Sequence, residues 1–194
     1  MSDAELIERV LAGNPQAWAA LVQEQQEAVF RLAFLLLHDA DDAEDVAQEV
    51  FLRAAAALER FDRTRALRPW LLQITRNLAS NRRRSARRYL AALQRWRLAA
   101  GSATAVAADA AAGPQVDDDA AALHRAIGRL SRQDQEVIYL RYFLELPVEE
   151  TAQALGVAPG TVKSRTARAL GRLRPLVQEA QEMQAGAEAQ HGEG

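Results

Sequence analysis

Apolar residues recur at three- and four-residue intervals along much of the chain, the spacing that places side chains on one face of an α-helix. Residues 14–38 carry such a stripe, and Asn14 followed by Pro15 is typical of an N-cap and a first helical residue. A second stripe runs through residues 39–61, which open with acids suited to a helix N-terminus. The pattern predicts helices over both segments.

The polar face of the second segment is acidic and holds one apolar residue, Leu52. Such a face fits a partner that offers basic side chains and an apolar pocket. An ordinary solvated helix face has the same spacing, so both interpretations stay open. The face consists of Glu44, Asp45, Gln48, Glu49, Leu52 and Glu59.

Residues 71–89 begin as an apolar helical stripe and turn into a block of arginines. Leu71, Ile74, Thr75, Leu78 and Arg82 share one side of the predicted helix. The other side fits a polyanion, because the block contains no acid and repels itself unless something negative binds it. A solvated charged face is the alternative. That other side carries Arg76, Asn77, Asn81, Arg83, Arg84, Arg87 and Arg88.

Residues 62–70 predict a short basic loop that ends at the start of this helix. Arginines beside an aromatic ring suit single-stranded nucleic acid, where bases stack on rings and phosphates meet guanidinium groups. Helical geometry favours core packing for Trp70, with base stacking as the alternative. The basic side chains here are Arg63, Arg65 and Arg68.

The composition changes to alanine with Gly, Ser and Pro after residue 98, which predicts a flexible linker over 99–117. The linker separates an N-terminal helical domain, residues 1–98, from a C-terminal domain, residues 118–176. Residues 177–194 are expected to form a disordered tail. The predicted fold class is all-α, with two small helical domains, the second a four-helix domain ending in a helix-turn-helix.

That helix-turn-helix is predicted from Gly156, which suits a left-handed turn, and from Pro147 and Pro159 at helix starts. On the last helix, Val162, Thr166, Ala169 and Leu173 form the buried side. Small and basic residues on the other side suit a major groove. A helical hairpin that binds no DNA is the alternative. The outward and flanking residues are Thr161, Lys163, Ser164, Arg165, Ala167, Arg168, Arg172 and Arg174.

The net charge of −2 hides a segregated pattern. Residues 63–108 hold eleven arginines and no acid, and residues 163–175 hold five bases and no acid. Residues 1–62 have 13 acids and 4 bases, and residues 109–162 have 9 acids and 4 bases. Two basic blocks that alternate with acidic segments predict two nucleic-acid contacts and one basic partner.

Several classes of function are excluded by composition. The chain has no cysteine, and its three histidines are scattered, so the sequence predicts no metal site and no zinc finger. It also has no nucleophile paired with a base and no Gly-rich phosphate loop, so we expect neither enzymatic activity nor a cofactor. An acidic start without a signal peptide and the lack of a membrane-spanning apolar run favour the cytoplasm and no membrane insertion.

The chain contains two long motifs. The first is DAEDVAQEVFLRA followed by RPWLLQITRNLASNRRR, and the second is LSRQDQEVIYLRYFLELPVEETAQALGVAPGTVKSRTARALGRLR. They resemble the second and the fourth conserved regions of the extracytoplasmic-function group of bacterial RNA polymerase sigma factors. Thr151 and Thr166 stand where the family commonly has larger apolar residues, which thins the predicted core of the helix-turn-helix.

The resemblance implies a promoter-specific initiation factor that binds core RNA polymerase. Its partners would be the clamp helices of the largest polymerase subunit, the flap of the second-largest, promoter DNA and an anti-sigma factor. A stand-alone helix-turn-helix regulator is the alternative. The polymerase contact would involve Asp45, Gln48, Glu49 and Leu52; the minus-10 contact Arg63, Arg65, Arg68, Trp70, Arg76, Asn77, Asn81, Arg83 and Arg84; and the minus-35 contact Thr161, Lys163, Ser164, Arg165 and Arg168.

Overall fold

The computed structural model of the protein describes residues 2–99 and 118–191. Its contacts divide the chain into two units, Met1–Ala111 and Ala112–Gly194. The described residues contain helices and no strand. The first unit consists of α1 (Asp3–Leu11), α2 (Pro15–Leu37), α3 (Ala40–Ala57), a 3₁₀ turn (Leu58–Arg60) and α4 (Leu67–Ala99).

The core of the first unit forms where α2 packs against both α3 and α4. Leu21, Val29, Val50 and Leu71 are almost completely buried there. Asn14 caps α2 as predicted, because its side-chain oxygen accepts from the backbone N–H groups of the second and third helical residues at 3.0 and 3.1 Å. The stripes predicted for these helices are the faces that pack together.

Helix α1 has no counterpart in the sequence predictions, which place no element before Asn14. A capping box starts it, in which Ser2 and Glu5 satisfy each other's backbone N–H groups. Leu6 and Ile7 are buried in the core of the first unit. The sequence did carry signals for this helix, since Leu6, Ile7, Val10 and Leu11 form an apolar stripe behind the Ser-x-x-Glu box. A helix of nine residues is marginal on its own, so packing on α2 is what holds it.

Helix α4 begins earlier than predicted. The expected loop over residues 62–70 is wrong at its end, because Leu67 already starts the helix and places Arg68 and Trp70 in the first turn. Two features favour this start. Leu67 is buried, and Pro69, which has no N–H group, is tolerated in the first turn because N–H groups there have no acceptor within the helix. The acidic helix also ends earlier, at Ala57, so Glu59 lies in the 3₁₀ turn.

The second unit consists of α5 (Asp118–Gly128), α6 (Arg132–Ile138), α7 (Val148–Leu155) and α8 (Pro159–His191). The predicted helix after Ser131 changes into a π-helical turn, Tyr139–Phe143. Gln135 ties α6 to the end of α5, since its amide nitrogen donates to the carbonyls of residues 127, 128 and 130 at 3.1 to 3.2 Å. Gly156 has φ 68°, the left-handed conformation that the predicted turn requires.

The predicted disordered tail from residue 177 is wrong for the described residues, because α8 continues through Pro175 to His191. A proline inside a helix removes one backbone hydrogen bond. Packing compensates: Leu173 is buried, Leu176 and Val177 are half-buried, and Arg129 on α5 pairs with Glu179 at 2.7 Å. The apolar spacing of α8 therefore extends past Pro175.

The fold class is confirmed as all-α, in two helical domains whose second contains four α-helices and a helix-turn-helix. The linker prediction falls almost entirely on residues 100–117, which lie outside the described part of the chain. The exact domain boundaries, 1–98 and 118–176, stay predictions.

Two buried threonine hydroxyls in the second unit give opposite predictions for stability. The Thr166 hydroxyl is buried without a hydrogen-bond partner, whereas the Thr151 hydroxyl donates to the carbonyl of Pro147 at 2.8 Å. We expect Thr166→Val to raise the free energy of unfolding by about 1 kcal/mol and Thr151→Val to lower it by about 1 kcal/mol. Hydrogen exchange of α7 and α8 amides across a urea series measures both. Shifts of the same sign in the two variants would contradict the assignment.

Candidate functional site

The acidic face of α3 is exposed along its length. Asp45, Gln48 and Leu52 are exposed and Glu49 is half-buried, so the structure brings all four predicted polymerase-contact residues to one helix face. Leu52 is 68% exposed, a large apolar side chain among acids. Glu49 accepts from the Arg53 guanidinium at 2.7 Å within the same helix.

Two grooves border this face. The first, of about 510 Å³ between α2 and α3, is lined by Phe30, Phe51, Glu44 and Gln48 among others. The second, of about 540 Å³, lies between α3 and α4. Acidic side chains therefore alternate with apolar recesses, which suits a partner with basic and apolar groups. The second groove is lined by Asp42, Asp45, Val46, Glu49, Leu78, Asn81, Arg82, Ser85, Ala86 and Tyr89.

Arg82 joins the acidic helix to the basic one. Its guanidinium donates to Asp42 at 2.6 Å and to Asp45 at 2.8 Å. These hydrogen bonds, the one to Asp42 first, raise the pKa of Arg82 above its usual value. The sequence placed Arg82 on the apolar side of α4 without a role. Its position on that side was the signal, because that side faces α3, whose first turn is acidic.

The loop between the 3₁₀ turn and α4 covers residues 61–66 and carries Arg63 and Arg65, both exposed. Asp62 organises it by accepting from the Thr64 hydroxyl at 2.6 Å and from the Thr64 backbone N–H at 3.0 Å. The side-chain bond first, and then the backbone bond, lower the pKa of Asp62. Asp62 also lies 3.4 Å from Arg65, so the basic loop has an internal carboxylate.

Trp70 is half-buried and packs on the core of the first unit. Its ring lies 4.8 Å, centroid to centroid, from that of Phe61, the first residue of the loop. This contact matches the core-packing interpretation of Trp70. Arg68, in the same helical turn, is exposed.

The solvent face of α4 displays Asn77, Asn81 and Arg84, all exposed and spaced within two turns. Arg76 is half-buried beside Asn77. Arg83 has a protein partner: it donates to the carbonyl of Leu36 at 3.3 Å. That carbonyl belongs to the last turn of α2, where a cation is favourable. Of the predicted minus-10 residues on α4, the structure thus turns Asn77, Asn81 and Arg84 outward, uses Arg83 to cap α2 and packs Trp70 on the core.

The recognition helix of the helix-turn-helix is the first part of α8. Val162 and Ala169 are fully buried, while Lys163, Ser164 and Arg168 are exposed, as the projection predicted. Thr161 and Arg165 are half-buried at the margins.

An ion pair links this helix to α6. Arg172 donates to Asp134 at 2.6 Å, and the Asp134 side chain is only 5% exposed. A buried carboxylate needs such a partner, so this pair fixes how the exposed face of α8 is presented.

Within the part of the chain that the structure describes, no helix combines the length and apolarity needed to cross a bilayer.

Comparison with known proteins gives the same two regions. Residues 21–89 match the family model for Sigma-70 region 2, and residues 120–173 match that for Sigma-70 region 4. The first match covers α2 to most of α4, and the second covers α5 to the recognition helix.

Among curated relatives, the RNA polymerase sigma-H factor of Pseudomonas aeruginosa is 32% identical, over 92% of this chain and 97% of its own length. The probable RNA polymerase sigma factor RfaY of Xanthomonas campestris is 34% identical over 84% of this chain, which spans 41% of that relative's length.

Among solved structures, the sigma factor RpoE from Bartonella quintana, determined with the anti-sigma factor NepR, matches with a TM-score of 0.61 and 26% identity. The match covers 82% of this chain and 96% of that one. Both regions occur in order in one chain with the fold described above, and relatives named as ECF RNA polymerase sigma factors match 82–88% of it at 33–36% identity. The protein therefore belongs to the extracytoplasmic-function group of bacterial RNA polymerase sigma factors.

Proposed function

We propose that the chain binds core RNA polymerase and directs it to specific promoters, reading the minus-35 element as duplex and the minus-10 element during strand opening. The observation that carries this proposal is the occurrence of regions 2 and 4 in one chain, each with its own exposed basic face. A stand-alone regulator needs one such face and no region 2. In the proposed role the chain supplies specificity and no catalysis.

The polymerase contact is proposed on α3, with Asp45, Gln48, Glu49 and Leu52 against the clamp helices of the largest subunit. The acids attract basic side chains, and the exposed Leu52 enters an apolar recess. Because Asp45 is held by Arg82 in the free protein, part of the acidic field is already neutralised there. The second unit is proposed to meet the flap of the second-largest subunit.

The minus-10 contact is proposed on the loop and on α4. Arg63, Arg65 and Arg68 surround a flipped base of the non-template strand, and Trp70 braces the pocket from the core side. Extracting a base costs a few kcal/mol, which contacts in a pocket recover. Asn77 and Asn81 lie nearest the bases of the upstream edge, and Arg76, Arg83 and Arg84 lie on the phosphate side.

The minus-35 contact is proposed on the start of α8. Lys163 and Arg168 offer donors to guanine O6 and N7, and Ser164 bonds either edge. Thr161 and Arg165, at the margins, contact the backbone. Duplex reading here fixes the register in which the minus-10 element meets the first unit.

An anti-sigma factor is a further proposed partner, supported by the solved structure of RpoE with NepR. Since core polymerase is the obligate partner, the proposed location is the cytoplasm.

Purified run-off transcription tests the proposed function. Core polymerase with the chain should initiate at a defined subset of a genomic promoter library, and core polymerase alone should not. Absence of initiation at every member of the library would overturn the proposal.

Reversing two charges on α3 separates a sigma factor from a stand-alone regulator. We expect Asp45→Arg with Glu49→Arg to weaken binding to core polymerase by at least about tenfold, since each reversal replaces an attraction worth about 1 kcal/mol by repulsion. Fluorescence anisotropy of the labelled full chain with core polymerase measures this. The control is Glu24→Arg, a charge reversal at an exposed residue of α2, outside the proposed contact. Equal affinity of the double variant and the control would contradict the contact.

Two side chains on the solvent face of α4 should differ in what they control. Asn77→Ala is expected to change promoter choice, because it removes a base contact worth about 1–3 kcal/mol. Arg84→Ala is expected to weaken binding to all promoters alike and to reduce the slope of log affinity against log salt concentration by about one. Holoenzyme affinities for several promoters at several salt concentrations measure both. The same pattern in both variants would refute the division.

A further inference from the structure

Helix α1 takes no part in the contacts proposed so far, and it precedes residue 21, where the region 2 match begins. Yet it reaches the loop proposed to hold the minus-10 base. Asp3, the first residue of α1, accepts a hydrogen bond from the backbone N–H of Leu67 at 2.9 Å. Leu67 is the first residue of α4, immediately after the loop.

The start of α4 needs this acceptor because its own sequence supplies none. Ala66 occupies the position where a helix normally has a capping side chain, and the first turn contains no acid. Arg68 places a positive charge at the positive end of the helix dipole, which a nearby carboxylate offsets. Asp3 therefore acts as an N-cap supplied from another helix.

Further contacts of α1 reach the entry of the same loop. Helix α1 packs against the 3₁₀ turn, Leu58–Arg60, that leads into it. Glu8 lies 3.5 Å from the Arg63 guanidinium. This pair is exposed, so it adds little stability, and Arg63 can readily leave Glu8 and bind a phosphate instead. The durable contacts of α1 are at the two ends of the loop.

We propose that α1 is a positioning element for promoter opening and that Asp3 is its positioning residue. By fixing Leu67, Asp3 orders the loop and the first turn of α4 before DNA arrives. Ordering in advance lowers the entropic cost of capturing an unstacked base. The inference rests on the proposed function, since it takes residues 61–68 as the base-holding segment.

Three variants of the full chain test the role of Asp3. Asp3→Ala removes the acceptor, and Asp3→Asn keeps a side-chain oxygen for the same bond. Asp39→Ala is the matched control, because Asp39 caps α3 in the same unit through an equivalent bond to the Asp42 N–H at 2.8 Å. Both alanine variants lose a helix cap, but only the cap made by Asp3 lies next to the loop.

The first measurement is hydrogen exchange of the free chain. Amides of residues 62–68 should exchange roughly fivefold faster in Asp3→Ala, the factor that corresponds to about 1 kcal/mol for a lost cap. Asp3→Asn should stay within about twofold of wild type, and Asp39→Ala should leave these amides unchanged. Unchanged loop exchange in Asp3→Ala would overturn this inference alone. So would an Asp3→Asn variant that behaves like Asp3→Ala, since charge would then matter and not the cap.

The second measurement uses holoenzyme and a promoter from the run-off screen, prepared both as full duplex and with the non-template strand unpaired across the minus-10 element. Asp3→Ala should weaken binding to the unpaired probe by a similar roughly fivefold factor, with unchanged affinity for core polymerase. An equal loss of affinity for the unpaired probe in Asp3→Ala and Asp39→Ala would overturn the positioning role, and so would wild-type affinity in Asp3→Ala. A wild-type holoenzyme that binds no promoter would instead overturn the proposed function.

Discussion

The arginine block of α4 imposes the constraint on which the first unit depends. Residues 63–108 contain no acid, so α4 cannot neutralise its own charge by pairs within the helix. Neighbouring helices supply what it lacks: Asp42 and Asp45 of α3 meet Arg82, and the last turn of α2 meets Arg83. Helix α1 provides an acceptor at the start of α4. The cations left outside these contacts, with Arg83 at their edge, form the surface proposed for DNA.

This arrangement makes Asp45 common to two surfaces. It lies on the α3 face proposed for polymerase, and it holds a guanidinium from the helix proposed for promoter DNA. A basic side chain of polymerase at Asp45 would compete with Arg82, which still has Asp42 as a partner. Docking on one surface and the charge available on the other are therefore linked through a single exposed ion-pair network.

Sequence periodicity was sufficient for the helices that present a wide apolar face. It located α2, α3, the body of α4 and the recognition helix, and it assigned the outward residues of α8 correctly, Lys163 and Arg168 among them. It failed where a contact between distant residues decides the outcome. The start of α4 depends on Asp3, and the passage of α8 through Pro175 depends on packing against α5. A local pattern contains neither contact, and the polymerase and DNA contacts themselves stay predictions.

The cap on α4 also bears on how the first unit folds. Asp3 and Leu67 are 64 residues apart, so their hydrogen bond closes a large loop and forms only after α1 and the 3₁₀ turn are brought together. During synthesis the carboxylate leaves the ribosome long before its partner. Helices α2 and α3 follow one another in the chain, so their packing closes a much shorter loop. The loop proposed to face the promoter therefore owes its order to a long-range contact and not to its local sequence.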